Sequence, residues 1–465
     1  MKYVSTRNNK KTVSFKKVSL EGLAKDGGLY LPNNWKINKL ELDKKDVKFE
    51  NIAFQVIKNF VGDEFDLSSL QQIIKHSYKN FSNKEITPLK KVENNHWLLE
   101  LFHGPTLAFK DIALQFLGNL FNYYLEENNN KLNIIGATSG DTGSAAIEAV
   151  KNYANVNIFI LHPFDRVSEF QRRQMTTIDS KNVFNIAVKG NFDDCQFIIK
   201  KLFRDKDSIS KRFASINSIN WSRIMAQITY YIYSFAKLNL IYNDKKISYS
   251  VPTGNFGDAY AGYLAKSKFN VPINKIIVAT NENDILNRFF REKLYKKNIA
   301  KSTNSPSMDI QVASNFERLL YDLLKTDSEK LSTTMNNFER KSYFQLDGNY
   351  NRKVLDSFIS FRVSEKRTIK TIKNIYKKYN IILDPHTAVG FRASLDYLKD
   401  NNDDIAVSLA TAHPAKFSKA VHDAININPT LPLKYKNIFR LKESFQVIEN
   451  NYKDIKNFIF KNSLN

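Results

Sequence analysis

The sequence predicts an α/β protein, and three observations carry the prediction. Apolar runs recur from about residue 95 onward, a Gly-rich or polar loop follows each run, and each loop opens into a stretch with helical apolar spacing. Continuous apolar strands alternating with helices imply parallel-type sheets flanked by helices, because such strands are buried on both faces. Ligands of these sheets bind at the carboxyl ends of the strands, where the loops lie.

Taken in order, residues 1–90 read as a small N-terminal unit. It has a polar start (MKYVSTRNNKKTVSF), a DGGLYLP turn at Asp26–Pro32 and an amphipathic stretch, FENIAFQVIKNFV. Residues 91–430 hold the strand, loop and helix repeats. KLNIIGA, TSGDTG and SAAIEAVKNYA form one; KISYSVP, TGNFGD and AYAGYLAKSKF form another. NIFILHP, KIIVAT and DDIAVSLATAHP are further strands. The part from about 300 to 380 is more polar and reads as helical, with Ile369, Ile372, Ile375 and Tyr379 on one stripe. Residues 431–465 read as a helical tail without a motif.

Composition bounds the function classes. The chain has 465 residues, beyond the size at which one core stops growing, so two or three packed units are expected. Seventy basic against 47 acidic residues give +23, yet lysines are spread along the chain without a run of five or six. Nucleic-acid binding is therefore not expected. One cysteine, Cys195, excludes an internal disulfide and multi-cysteine metal sites, and it reads as a small buried hydrophobe. The seven histidines show no metal-ligand spacing, so no metal is expected. Without a signal-peptide core or an apolar stretch of ~18 residues, a soluble cytoplasmic protein with no membrane partner is expected.

Chemistry concentrates in three segments. GNFGD, from Gly254 to Asp258, lies between strand and helix, where backbone N–H groups and a helix N-terminus make a phosphate cradle. SGDTG, from Ser139 to Gly143, has the same placement, with the Ser139 and Thr142 hydroxyls available to an anion. In HGPTLAFKD, Lys110 precedes a helix with a wide apolar face: Ile112, Ala113, Phe116, Leu117, Leu120 and Phe121. A lysine at the N-terminus of a buried helix loses proton affinity and becomes a nucleophilic amine. A structural lysine gains nothing there, whereas one that forms a Schiff base does. Such a lysine with a phosphate cradle implies pyridoxal 5'-phosphate.

The motifs ELFHGPTLAFKDIALQF, GATSGDTGSAA, RVSEFQRRQMTT, NSINWSRIMAQ, VPTGNFGDAYAGY, DPHTAVGF and LATAHPAKF occur in that order. Together they resemble threonine synthase, a fold-type II, tryptophan synthase β-like enzyme of pyridoxal 5'-phosphate. YVSTRN with SLEGLAKDGGLYLP resembles the N-terminal domain of that family's longer branch, although STRNNK departs from its commoner STRGG form. The resemblance implies that Lys110 is the cofactor lysine, that Gly254, Asn255, Phe256 and Gly257 hold the cofactor phosphate, and that Thr411 faces the pyridine nitrogen. It places Ser139, Asp141 and Thr142 at the substrate carboxylate and cofactor edge, and Asn220 and Arg223 at the substrate phosphate. Read from the residues alone, Asn220 and Arg223 favour an inter-helix hydrogen bond, His103 fits orienting the loop, and His386 and His413 fit turn-shaping roles.

The implied activity converts O-phospho-L-homoserine and water to L-threonine and phosphate by γ-elimination and β-addition of water, with Lys110 taking the Cα proton. A monomer or homodimer is expected. The nearer alternative is a related lyase or dehydratase ending at a 2-oxo acid. The distant one, a basic nucleic-acid-binding protein, lacks a basic cluster or interleaved aromatic motif.

Overall fold

The apolar runs form the inner strands of two largely parallel sheets. A computed structural model describes residues 1–40, 47–127, 129–205, 207, 211–346 and 348–464. One sheet has six strands: β4 (Leu89–Glu93), β5 (His96–Glu100), β10 (Ile247–Pro252), β11 (Ile273–Thr280), β14 (Phe358–Arg362) and β15 (Ile405–Ala410). Their order is β14-β11-β10-β15-β5-β4, parallel except where β4 closes the edge against β5. The second sheet contains β6 (Leu132–Ala137), β7 (Val156–Pro163), β8 (Val183–Lys189), β9 (Phe213–Ser215) and β16 (Gln446–Glu449). It is parallel throughout, in the order β16-β8-β7-β6-β9. β7 is buried at all eight positions and β15 at all six, as sheets covered on both faces require.

Two small sheets complete the fold: β1 (Tyr3–Ser5), β2 (Asn8–Val13) and β3 (Tyr30–Pro32) at the N-terminus, and the antiparallel pair β12 (Leu294–Lys296) and β13 (Tyr343–Gln345). The STRNNK segment has a structural task. Thr6 Oγ1 donates to Glu317 at 2.7 Å and Arg7 makes a two-pronged pair with the same carboxylate at 3.1 and 2.9 Å. These contacts tie the N-terminal strands to the helix Phe316–Leu323. Trp221 packs against Tyr3, Trp35 and Phe60, joining the N-terminal unit to the start of the helix Trp221–Ile241.

Two segments depart from the expected pattern. The polar region 300–380 is mostly helical but supplies the edge strand β14, and the tail supplies β16 before its helix Tyr452–Asn462. FISFR and QVIE are short and flanked by charge, and their pairing is set by neighbouring strands rather than by their own periodicity. Cys195 is buried beside Ile198, Ile199, Ile455 and Ile459 under the second sheet. Among the described residues no helix is long and apolar enough to cross a membrane.

The helix Lys110–Glu127 packs on the helices Leu67–Tyr78, Asp141–Val150 and Trp221–Ile241. Its six apolar positions named above are fully buried. Each large apolar side chain contributes about 1.5–3 kcal/mol on burial, so the helix start is fixed where Lys110 sits. At Gly118 a side chain would penetrate the Ala149 backbone of the neighbouring helix. Gly118→Ala is therefore expected to cost roughly 1–3 kcal/mol, read as a lower urea midpoint at unchanged slope.

Candidate active site

The site is built from loops at the carboxyl ends of β5, β6, β10 and β15. Beyond β5 the chain runs beside the segment after β15: Leu101 N–H donates to Ala410 O, Phe109 N–H to Thr411 O and His413 N–H to Leu107 O, at 2.9, 2.9 and 3.1 Å. Asp111 braces the turn by accepting from Thr106 N–H at 2.8 Å and Thr106 Oγ1 at 2.6 Å. Gly104 leaves no room for a side chain against Asp111. Leu107 adopts a left-handed conformation, φ +64°, which a leucine holds only when its surroundings over-determine it. Together these contacts deliver Lys110 to the first helical position, buried, with Thr411 alongside.

Lys110 Nζ donates to Asp141 Oδ2 at 3.1 Å. Asp141 opens the helix Asp141–Val150 after β6, preceded by Gly140 at φ +140° and braced by Thr138 Oγ1, which accepts from Gly140 and Gly143 N–H. Its other oxygen accepts from Gln171 Nε2 at 2.7 Å and pairs with Lys416 Nζ at 2.9 Å. Burial alone would raise the Asp141 pKa, but the Lys110 and Lys416 ammoniums outweigh it and hold the carboxyl well below its usual range. Asp141 is thus ionised. Lys110 is shifted down, first by burial; Asp141 opposes the shift, while Lys416 and Arg223 add to it. Ser139 is exposed and Thr142 half-buried at the rim of the same loop. Their hydroxyls have no protein partner among the described residues.

After β10, residues 254–257 enter the helix Gly257–Ser267. A Cβ on Gly254 would lie 2.8 Å from Ser307 O, so only glycine permits this approach. Phe256 sits at φ +65°, held there by packing against Phe290, Phe316 and Phe358. Asn255 is fixed through its carbonyl by Asn315 N–H and through Oδ1 by Ser314 Oγ, both at 3.0 Å. The N–H groups of Gly254, Asn255, Phe256 and Gly257 find no acceptor among the described residues. Four free donors at a helix N-terminus fit a phosphate, and the buried amine of Lys110, whose pKa burial lowers, fits an aldehyde. The residues present therefore fit pyridoxal 5'-phosphate. Ser307 links the two parts: its carbonyl abuts Gly254 and its hydroxyl lies 3.4 Å from Asp141 Oδ2.

Asn220 caps the helix Trp221–Ile241 by accepting from Ser222 N–H at 2.9 Å, and its amide donates to Ser19 O at 2.8 Å. Both ends of its side chain are engaged by the fold. Arg223 is different. It is buried, Nη1 donates to Ile216 O at 3.1 Å, its Nε–H is unpaired, and burial without a carboxylate pushes its pKa down to about 10. Thr411 is positioned by its backbone, whose N–H donates to Thr387 Oγ1 at 3.2 Å, while its own hydroxyl has no protein partner among the described residues.

Three contributors were hidden in the sequence. Lys416, in LATAHPAKF, is indistinguishable by composition from dozens of surface lysines, yet its side chain is shielded from solvent. Gln171 orients Asp141. Asp384 accepts from His386 Nδ1 at 2.9 Å, His386 Nε2 accepts from Ser307 N–H at 3.2 Å, and Asp384 also holds the Thr387 hydroxyl. One carboxylate thus braces both the Ser307 loop and the segment bearing Thr411. The quoted motifs held the only signal for these residues. Among the described residues no group of three His, Cys, Asp or Glu could hold a metal ion.

Comparison with known proteins places this geometry in a family. The pattern described as "Threonine synthase N terminus" matches residues 2–78, "Pyridoxal-phosphate dependent enzyme" residues 83–411, and "Threonine synthase, C-terminal" residues 387–459. The chain is 43% identical to threonine synthase of Pseudomonas aeruginosa, with 99% of this chain and 98% of the relative covered. It is 42% identical to that of Saccharomyces cerevisiae, covering 96% and 95%. The fold is similar to a crystal structure of threonine synthase from Brucella melitensis with pyridoxal phosphate bound: TM-score 0.93, 38% identity, all of both chains covered. The yeast threonine synthase structure gives a TM-score of 0.91 at 40% identity, covering 99% and 98%. With this likeness running from end to end, the chain belongs to the threonine synthase family of pyridoxal-phosphate-dependent enzymes.

Proposed function

We propose that the enzyme converts O-phospho-L-homoserine and water to L-threonine and phosphate, the last step of threonine biosynthesis, working in the cytoplasm. In this reaction the bond from Cγ to the phosphate oxygen breaks and Cγ gains a hydrogen, while Cβ loses a hydrogen and takes the hydroxyl of water, whose other hydrogen leaves with the phosphate. The observation that carries the reading is Arg223, a buried guanidinium that faces no carboxylate and lies near enough to Lys110 to lower its proton affinity. A cation kept in that state is suited to an anion that arrives with the substrate.

When bound, pyridoxal 5'-phosphate supplies an aldehyde for the amine and a conjugated ring that draws electrons from the substrate's Cα. We assign the N–H groups of Gly254, Asn255, Phe256 and Gly257 to the cofactor phosphate and the Thr411 hydroxyl to the ring nitrogen. Ser139 and Thr142, at the start of a helix, are assigned to the substrate carboxylate, where the helix N-terminus adds positive potential. Asp141 orients Lys110 by accepting its hydrogen bond. Neutral Lys110 Nζ is the base assigned to the Cα proton. Arg223 holds the substrate phosphate, and Asn220 positions it by capping its helix. Residues 1–90 form an N-terminal unit, 91–430 the catalytic region and 431–465 a tail that completes the smaller sheet.

Incubating the protein, loaded with pyridoxal phosphate, with O-phospho-L-homoserine should yield threonine and phosphate in equal amounts. A 2-oxo acid in place of threonine would move the function to the lyase alternative. Lys110→Ala is expected to abolish turnover. Arg223→Met separates function from stability. It removes a charge-assisted contact of about 1.5–3 kcal/mol, so kcat/KM should fall roughly ten- to hundredfold. The urea midpoint should hold or rise, because a buried unpaired cation is removed. An unchanged kcat/KM would remove Arg223 from the phosphate site.

A further inference from the structure

The buried cluster around Asp141 carries one negative and two positive groups. Lys110 Nζ lies 3.1 Å from Oδ2 and Lys416 Nζ 2.9 Å from Oδ1. Lys416 comes from the turn Pro414–Phe417, has a fully shielded side chain, and also donates to Thr106 O at 2.7 Å. An uncompensated charge in a dry site is costly, so such clusters favour electrical balance. With both lysines protonated the trio carries +1; with Lys110 neutral it carries zero. A lone Asp141–Lys110 pair would balance only with Lys110 protonated, the form that cannot attack an aldehyde.

We propose that Lys416 is a positioning residue for the cofactor lysine: as the permanent counter-ion of Asp141, it lets Lys110 shed its proton and react as a neutral amine. The amine lone pair then adds to the aldehyde carbon, a C=N bond forms, and the carbonyl oxygen leaves as water with the two amine hydrogens. When Lys110 later departs from Asp141, Lys416 and Gln171 still hold that carboxylate in place. The other charged groups facing the cluster do not replace this role. Arg223, from the Trp221–Ile241 helix, acts on Lys110 in the same direction but touches no oxygen of Asp141. Asp258, at the start of the Gly257–Ser267 helix, interacts with Lys110 but is held by the hydroxyls of Tyr230 and Tyr231. His386 is engaged by Asp384 and Ser307, and Asp111 by Thr106.

The inference rests on Lys110 as the cofactor lysine, and the test separates the two. Full-length protein stripped of cofactor is mixed with pyridoxal phosphate from about pH 6 to 10, and the rate at which the long-wavelength band of the C=N bond appears is recorded. The neutral fraction of an amine grows as pH rises through its pKa. Removing the Lys416 charge raises that pKa, so the limb should move to higher pH. Lys416→Gln is expected to shift it by about one pH unit and slow capture about tenfold near neutrality. Lys416→Arg, which keeps the charge, should restore the original limb. A less stable Lys416→Gln protein with an unshifted limb would make Lys416 merely structural and overturn the proposal. If that variant fails to fold, Asp141→Asn with Lys416→Gln removes both charges at once. Compared with Asp141→Asn alone, its limb should lie at higher pH, and coincident limbs would contradict the proposal. A band that persists in Lys110→Ala would instead overturn the assignment of Lys110.

Discussion

The site depends on one carboxylate shared by two buried lysines. Asp141 is nearly inaccessible to solvent, and so are the ammonium groups on either side of it. Removing one partner from such a group would strand a charge at a cost of about 3–5 kcal/mol, so Asp141 locks three separate chain segments together. The segments are the helix starts at Lys110 and Asp141 and the turn at Lys416. A lysine at a helix N-terminus opposes the helix dipole, whereas an aspartate there is favoured by it. Asp141 offsets at close range what the position of Lys110 costs.

The sheets make that arrangement available. Parallel strands align their carboxyl ends, so the loops after β5, β6, β10 and β15 converge without long excursions of chain. β5 and β15 are direct neighbours, which puts Lys110 beside Thr411 through main-chain hydrogen bonds. β6 belongs to the other sheet, and Ser307 bridges from its loop to the Gly254 cradle. The active site therefore lies where loops of both sheets meet. Leu107 and Phe256 hold left-handed conformations shortly before the lysine and the cradle helix.

Much of this was legible from spacing. Continuous apolar runs identified β6, β7, β10, β11 and β15 because doubly buried strands have no polar face to blur the pattern. Lys110 stood out because the helix after it has a wide apolar face, the mark of a buried helix. The edge strands β14 and β16 were not legible, since their pairing comes from the neighbouring strand. Nor was Lys416. In a chain with 70 basic residues a lysine carries little information by itself, and its burial follows from a turn packed against Thr106 and Asp141. For Arg223 and Asn220 the residues left two readings open. The fold separates the two side chains, with Asn220 engaged as a cap and Arg223 buried without a counter-ion.

The central claim is that Lys110 takes the cofactor, and that Lys416, by serving as counter-ion of the shared carboxylate, leaves Lys110 free to react as a neutral amine. The most direct measurement is borohydride reduction of the protein loaded with pyridoxal phosphate, followed by digestion and mass spectrometry of the labelled peptide. The account requires the phosphopyridoxyl group on Lys110, with Lys416 unmodified. A label on Lys416, or on a lysine outside this cluster, would contradict it.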